Sequence, residues 1–329
     1  MAIFWVSVLA VAILLYVLLD GFDLGVGILY GLTRDDTRRS NMMRAVSPVW
    51  DGNETWLIVS GVILWGAFPV VYATLFSALY LPVLFMLAGL ILRGVAFEFR
   101  GKAAHSRALW DGAFFGGSLV AAFMQGIMVG ALVEGLPFSA GAYTGGAFGW
   151  LSPFSVLCGV TLSFGYALLG ACWLIRKCQG ELQQDAYRLI SRSSLGLALL
   201  LVLIFAFSLA EQLRVMTRWL ERPSLFIFPT VGVVAAVLLA RSVRRRNDRM
   251  PLLMAALGFA AAFGAFVVTF WPYMVPFSIT IAQAAAPQSS LSFMFWGEGL
   301  FVLPLMLAYT AISYRVFRGK SDATWEQHE

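Results

Sequence analysis

Leu19-Asp20-Gly21-Phe22-Asp23-Leu24-Gly25-Val26-Gly27 lies inside an apolar run extending from about Ile3 to Leu32. Two carboxylates in such a run demand an explanation. An aspartate near the middle of a bilayer costs roughly 2.5–3.5 kcal/mol on insertion scales. Asp20 and Asp23 are three residues apart, so a helix turns both to nearly the same side. Gly21 and Gly25 are four apart and let a second helix backbone come close. Two readings stand. The pair is buried and able to hold or pass a proton, or it only hydrogen-bonds across helices or reaches water.

The rest of the chain makes the run a membrane segment. Of 329 residues, 60% are hydrophobic and only 12% charged, with a mean hydropathy of +0.80. A soluble domain is usually about 25% charged, so this chain cannot cover itself with polar surface. The apolar runs reach the roughly 20 residues a helical span needs and lack the strict alternation of a membrane barrel. The first run has no basic leader and no small-residue cleavage site, which reads as a retained span. Cys158, Cys172 and Cys178 lie in or at the end of one apolar run, without metal spacing, and read as core thiols. The net charge of +5 is not a sign of nucleic acid.

Nine spans are predicted, at about 3–32, 52–72, 74–98, 109–133, 151–175, 193–213, 224–241, 251–272 and 292–314. No linker divides them, so residues 1–329 form one polytopic domain with a tail over 315–329. Basic residues set the orientation. Nineteen of the 23 fall in alternate loops and the tail, among them Arg34, Arg38, Arg39, Arg44, Lys102, Arg188, Arg244 and Arg315. The opposite side has only Arg214, Arg218 and Arg222, and Arg93 lies within a span. The N-terminus is therefore expected outside and the C-terminus in the cytoplasm.

That orientation brings Asp20 and Asp23 of span one to the cytoplasmic half. Span two starts there with Trp50-Asp51-Gly52-Asn53-Glu54-Thr55-Trp56, and span three ends there with Arg93-Gly94-Val95-Ala96-Phe97-Glu98-Phe99-Arg100. Short connections make these helices expected neighbours. Asp20, Asp23 and Asp51 are the candidate proton carriers, with Glu54, Arg93, Glu98 and Arg100 as a supporting polar cluster. The alternative is structural pairing, since buried ions usually pair. On the outer side, Glu211, Arg214, Arg218 and Glu221 read as an exposed helical extension of span six, and Trp271-Pro272 as the end of span eight. Glu298 is a further carboxylate, near the outer end of span nine, expected to touch interfacial water.

Redox chemistry is not visible in the chain. The two histidines, His105 and His328, fall in a loop and the tail, and the 12 methionines show no paired arrangement for axial ligation. No nucleotide-binding motif stands out. Ionisable groups in the membrane without visible chemistry suggest a proton or ion path, or a subunit whose chemistry lies in another chain.

The blocks Asp20-Gly-Phe-Asp-Leu-Gly-Val-Gly and Trp50-Asp-Gly-Asn-Glu-Thr-Trp resemble subunit II of the cytochrome bd-type quinol oxidases, including the cyanide-insensitive branch. Arg93 through Arg100, Trp271-Pro-Tyr-Met-Val-Pro and Tyr314-Arg-Val-Phe-Arg-Gly-Lys add weaker support in the same order. Together they extend over nearly the whole chain, which is somewhat shorter in its middle loops than some members. The resemblance implies nine spans arranged as two four-helix bundles plus one peripheral helix, in the bacterial cytoplasmic (inner) membrane. It implies a partner subunit I, met by spans two, three and nine, that carries two haems b and a third haem of type d or b. This chain then ligates no cofactor, although some members hold a structural quinone in subunit II. The complex reduces oxygen to water with electrons from quinol and takes its protons from the cytoplasm. Small single-helix accessory subunits are further expected partners. A relay through Asp20, Asp23 and Asp51 along the subunit interface fits this activity. The competing class is a proton-coupled transporter or channel subunit, which would favour an internal repeat and interrupted midplane helices. A third reading is a purely structural scaffold in the same oxidase.

Overall fold

The computed structural model describes residues 1–103, 105–139, 142–211 and 213–320. His328 and the end of the expected tail lie outside the described residues. Helix α1 (Ala2–Tyr30) carries no charged side chain before Asp20. It is followed by α2 (Asp36–Val46), a short polar helix whose start is fixed by the Asp35 side chain accepting from the Arg38 backbone N–H at 2.8 Å. Then come α3 (Trp50–Ala67), α4 (Pro69–Ala78), α5 (Tyr80–Arg100) and α6 (Arg107–Glu134). A two-residue ribbon, β1 (Phe138–Ser139) with β2 (Ala142–Tyr143), precedes α7 (Pro153–Lys177). The second half comprises α8 (Gly180–Ala210), α9 (Arg214–Glu221), α10 (Ile227–Arg244) and α11 (Met250–Phe270). It closes with β3 (Tyr273–Val275) paired to β4 (Ile279–Thr280), then α12 (Ile281–Ala284), α13 (Gln288–Met294) and α14 (Val302–Val316).

Among the described residues, 8 helices are long and apolar enough to cross a membrane, or 9 if α3 and α4 count as one bent span. The second predicted span was a straight run to residue 72. The chain instead bends by 118° between α3 and α4. Pro69 explains the break: it cannot donate to the α3 ladder, and it restricts Phe68. Helix α8 begins at Gly180, earlier than predicted, and its 31 residues span about 46 Å, more than a bilayer core of about 30 Å. The expected extension of span six is also corrected. Helix α8 stops at Ala210, and α9 is a separate helix pinned to the end of α11. Arg218 donates to the Thr269 carbonyl at 2.7 Å, and Trp219 donates to the Thr269 hydroxyl at 2.9 Å. These bonds fix α9 against α11, while Glu211, Arg214 and Glu221 remain exposed as expected.

Helices α1, α5, α6 and α7 form the tightest part of the molecule, with α3 on α1 and α8 and α11 on α7. Small residues allow this closeness. A Cβ on Gly25 would lie 1.8 Å from the Tyr166 carbonyl oxygen, so α1 and α7 cross backbone to backbone there. Around this crossing lies the main core, with Phe22 stacked on Trp173 at 4.1 Å between ring centroids. The burial of α1 is continuous from Asp20 to Gly27, which places both aspartates inside the protein. All three cysteines are buried.

Candidate functional site

Arg93 sits two-thirds of the way along α5 and is fully buried. One guanidinium nitrogen stands 2.7 Å from Asp20 of α1, and the other 2.8 Å from Glu54 of α3. The Asp20 side chain is as buried as Arg93, whereas that of Glu54 is 25% exposed. A lone buried ion is costly, so a guanidinium shared by two carboxylates stabilises all three helices against one another. The guanidinium itself does not give up its proton, so Arg93 is the fixed charge of the group.

Asp23 is held differently. Asn53 donates its amide N–H to Asp23 Oδ2 at 2.7 Å and contacts the Leu19 carbonyl at 3.4 Å. The Tyr314 hydroxyl of α14 donates to the Asn53 carbonyl oxygen at 2.9 Å. Asp23 is 2% exposed, and its Oδ1 has no hydrogen-bond partner among the described residues. Asp23 therefore faces a neutral amide, whereas Asp20 faces a cation. Two carboxylates three residues apart thus have distinct environments.

A third arm extends deeper into the bundle. The Tyr16 hydroxyl lies beside the Asp20 carboxylate and accepts a hydrogen bond from the Gln125 amide at 2.8 Å. Tyr166 of α7 donates to the Gln125 carbonyl oxygen at 2.8 Å. All three side chains are buried. The polar groups thus form one connected body: Tyr166, Gln125, Tyr16, Asp20, Arg93 and Glu54, with Asp23, Asn53 and Tyr314 beside it.

The remaining candidates lie elsewhere. Asp51 is exposed on the first turn of α3, within electrostatic reach of Glu54. Glu98 is exposed on α5. Arg100 belongs to a second cluster at the same end of the bundle, donating to Asp111 at 2.6 Å and pairing with Asp36 at 2.7 Å. Asp111 of α6 also receives Arg39 at 2.8 Å and the Tyr30 hydroxyl. That cluster ties α2 to α1, α5 and α6. Glu298 is exposed on a π-helical turn, Phe295–Gly299, between α13 and α14.

Sequence reasoning missed Tyr16, Gln125, Tyr166 and the roles of Asn53 and Tyr314. One signal was present. Tyr16 precedes Asp20 by four residues, one helical turn, and Gln125 is an amide deep inside an apolar span.

The family described as cytochrome bd terminal oxidase subunit II matches residues 1–317. The chain belongs to this family. Subunit 2 of the cytochrome bd-I ubiquinol oxidase of Escherichia coli K12 is 31% identical over 94% of this chain and 92% of its own length. Cytochrome bd ubiquinol oxidase subunit 2 of Bacillus subtilis 168 is also 31% identical, with 95% of each covered. A solved bd oxidase chain from Geobacillus thermodenitrificans shares the fold, with a TM-score of 0.79 over 96% of this chain and 98% of that one, at 18% identity. As a cytochrome bd subunit II, the chain is a membrane component of a terminal quinol oxidase, an oxidoreductase of the inner membrane that works with a subunit I. The family's haems lie in that partner. Among the described residues of this subunit II, no group of three or more His, Cys, Asp and Glu is disposed to hold a metal ion.

Proposed function

We propose that this subunit II supports assembly of the haem-carrying subunit and conducts cytoplasmic protons toward the site of oxygen reduction. The observation that carries the reading is the split between the two aspartates. Asp20 is paired with Arg93 at 2.7 Å, while Asp23 has one oxygen on a neutral amide and the other without a hydrogen-bond partner among the described residues. Asp51, exposed at the start of α3, collects protons at the surface. Asp23 accepts them, and Arg93, paired with Asp20, supplies the fixed charge that keeps the region polar. The protons are those consumed when oxygen is reduced to water with electrons from quinol.

The orientation that serves this role has the N-terminus outside and the C-terminus in the cytoplasm, as the arginine-rich loops favour. It counts α3 with α4 as one span, giving nine in two four-helix bundles plus a peripheral helix, within a single domain. Two haems b and a third haem, d or b, complete the oxidase in subunit I, with small single-helix subunits as accessory partners. A scaffold reading is favoured by one specific feature, the buried Asp20–Arg93–Glu54 bridge, which stabilises three helices whether or not protons move.

Asp23→Asn and Asp51→Asn separate the two readings. The relay predicts complexes with full haem content, slowed oxygen consumption and slowed proton uptake in proteoliposomes. Normal turnover in both variants would sink it. Failure to assemble would leave the aspartates as structural groups.

A further inference from the structure

We propose that Tyr314 positions the Asp23 carboxylate through Asn53 and closes the opening by which Asp23 exchanges its proton with water. The inference rests on the relay reading and names a residue that reading does not require.

The hydrogen-bond order carries the first part. An amide presents an acceptor oxygen at one end and donor N–H groups at the other, and its orientation is set by what each end meets. Here the Tyr314 hydroxyl donates to Asn53 Oδ1 at 2.9 Å, so the N–H end faces Asp23 at 2.7 Å. Without the hydroxyl, the Asn53 oxygen loses its donor, and the amide is held on Asp23 only by its N–H end. Asn53 is 1% exposed and Tyr314 partly buried, on a helix that otherwise buries no residue fully. The tyrosine is therefore the inward polar contact of α14.

Placement carries the second part. A small surface recess of about 10 Å³, room for about one water, lies between the start of α3 and the end of α14, with Val49, Gly52, Asn53, Tyr309, Ser313 and Tyr314 in its lining. Both partners of the Tyr314–Asn53 bond line it, and Asp23 is 2.7 Å from the Asn53 amide nitrogen. A Cβ on Gly52 would stand 3.0 Å from the Tyr309 ring, so glycine keeps the recess open. The other exposed approach, through Glu54, ends on Arg93, whose guanidinium holds its protons and interrupts transfer. When the Tyr314–Asn53 bond opens, water from the recess reaches Asp23 and relays to Oδ1 a proton received from the cytoplasmic surface, so the water itself is left unchanged. The other charged groups in electrostatic range are Asp20 and Arg176 at Tyr314, and Asp20, Arg93 and Glu54 at Asp23.

The test uses the whole purified oxidase, with the haem spectrum as the assembly control. Tyr314→Phe, Asn53→Ala, the double variant and Asp23→Asn are compared for kcat, quinol KM and solvent deuterium isotope effect. Tyr314→Phe is expected to lower kcat about fivefold, the scale of one neutral hydrogen bond, with KM unchanged and a larger isotope effect. Asn53→Ala does the same, and the double variant is no slower than either. Wild-type kinetics in Tyr314→Phe alongside a slow Asp23→Asn overturns this inference and leaves the relay standing. A normal Asp23→Asn removes the relay itself. Full additivity in the double variant shows that Tyr314 does not act through Asn53 and overturns the proposal. If Tyr314→Phe does not assemble, Gly52→Val narrows the recess with the Tyr314–Asn53 bond intact. It is expected to slow turnover, and an unchanged rate there rejects the opening.

Discussion

Arg93 is shared between Asp20 and Glu54, and the two contacts differ in kind because Glu54 keeps 25% of its side chain in reach of water. Truncating one partner of a buried pair leaves the other charge unpaired, at about 3–5 kcal/mol. Arg93→Ala is therefore expected to lower the thermal midpoint of the purified complex sharply. Asp20→Asn in the same chain should restore part of the loss, since it removes the stranded charge. Equal midpoints for the single and double variants would contradict the coupling. The aspartates and Arg93 were legible in the sequence because a charge inside an apolar run needs a partner. Which residues join them was not. Arg93 and Arg100 are seven residues apart, on one stripe but about 10 Å along the axis, so they serve different clusters. Arg100 found Asp111, which α6 delivers from elsewhere in the chain. Asp51 and Glu98 turn outward because one or two residues of helix rotate a side chain by about 100–200°. Tyr16, Gln125 and Tyr166 meet only through the packing of three helices.

Helix packing at the α1–α7 crossing depends on the absence of side-chain atoms. A Cβ on Gly25 would lie 1.8 Å from the Tyr166 carbonyl oxygen and 2.9 Å from the Gly170 backbone nitrogen. Both obstacles are backbone, which cannot turn aside. Gly25→Ala must push the helices apart, and overpacking of this kind costs about 1–3 kcal/mol or more. The shift would also move Asp23 and Asp20, about half a turn and one and a half turns away. The expected outcome is a lower yield of assembled complex and a lower thermal midpoint. Gly258→Ala in α11 is the matched control, because nothing lies within 4 Å of its would-be Cβ. That variant should be neutral or slightly stabilising, as alanine is the better helix former. A Gly25→Ala complex as stable as Gly258→Ala would refute the close crossing. The four-residue spacing of Gly21 and Gly25 pointed to this contact from the sequence, although it could not name α7. The α3–α4 bend was missed for a different reason. The apolar run continues through Pro69, and hydropathy is blind to the lost backbone donor.

The ends of distant helices are tied together at the face that the arginine-rich loops share. Lys177 at the end of α7 donates to the Phe317 and Gly319 carbonyls beyond α14. Lys320 pairs with Asp248, in the turn between α10 and α11, at 2.5 Å. Tyr187 of α8 donates to the same carboxylate at 2.9 Å, with the Arg246 guanidinium 4.8 Å above its ring. The end of α7 and the α10–α11 turn thus hold the chain between Phe317 and Lys320, with α8 joined through Asp248, a closure that hydropathy patterning could not reveal because it depends on loops. Partial burial works against the Asp248 charge, but the hydrogen bonds from Lys320 and Tyr187 outweigh it and hold the carboxyl below the usual carboxylate range. The folded state therefore prefers the ionised form. Its contribution is fully present above the unfolded value near pH 4 and is lost as pH falls through the lower folded value. Hydrogen exchange of the amides around Phe317 to Lys320, corrected for intrinsic rates, is expected to be flat from about pH 5 to 8 as far as this group governs it. Asp248→Asn removes the charge at every pH, so exchange there should rise across that whole range while the haem spectrum stays unchanged. Unaltered protection in Asp248→Asn would mean that the Lys177 contacts hold the segment without help from the ion pair.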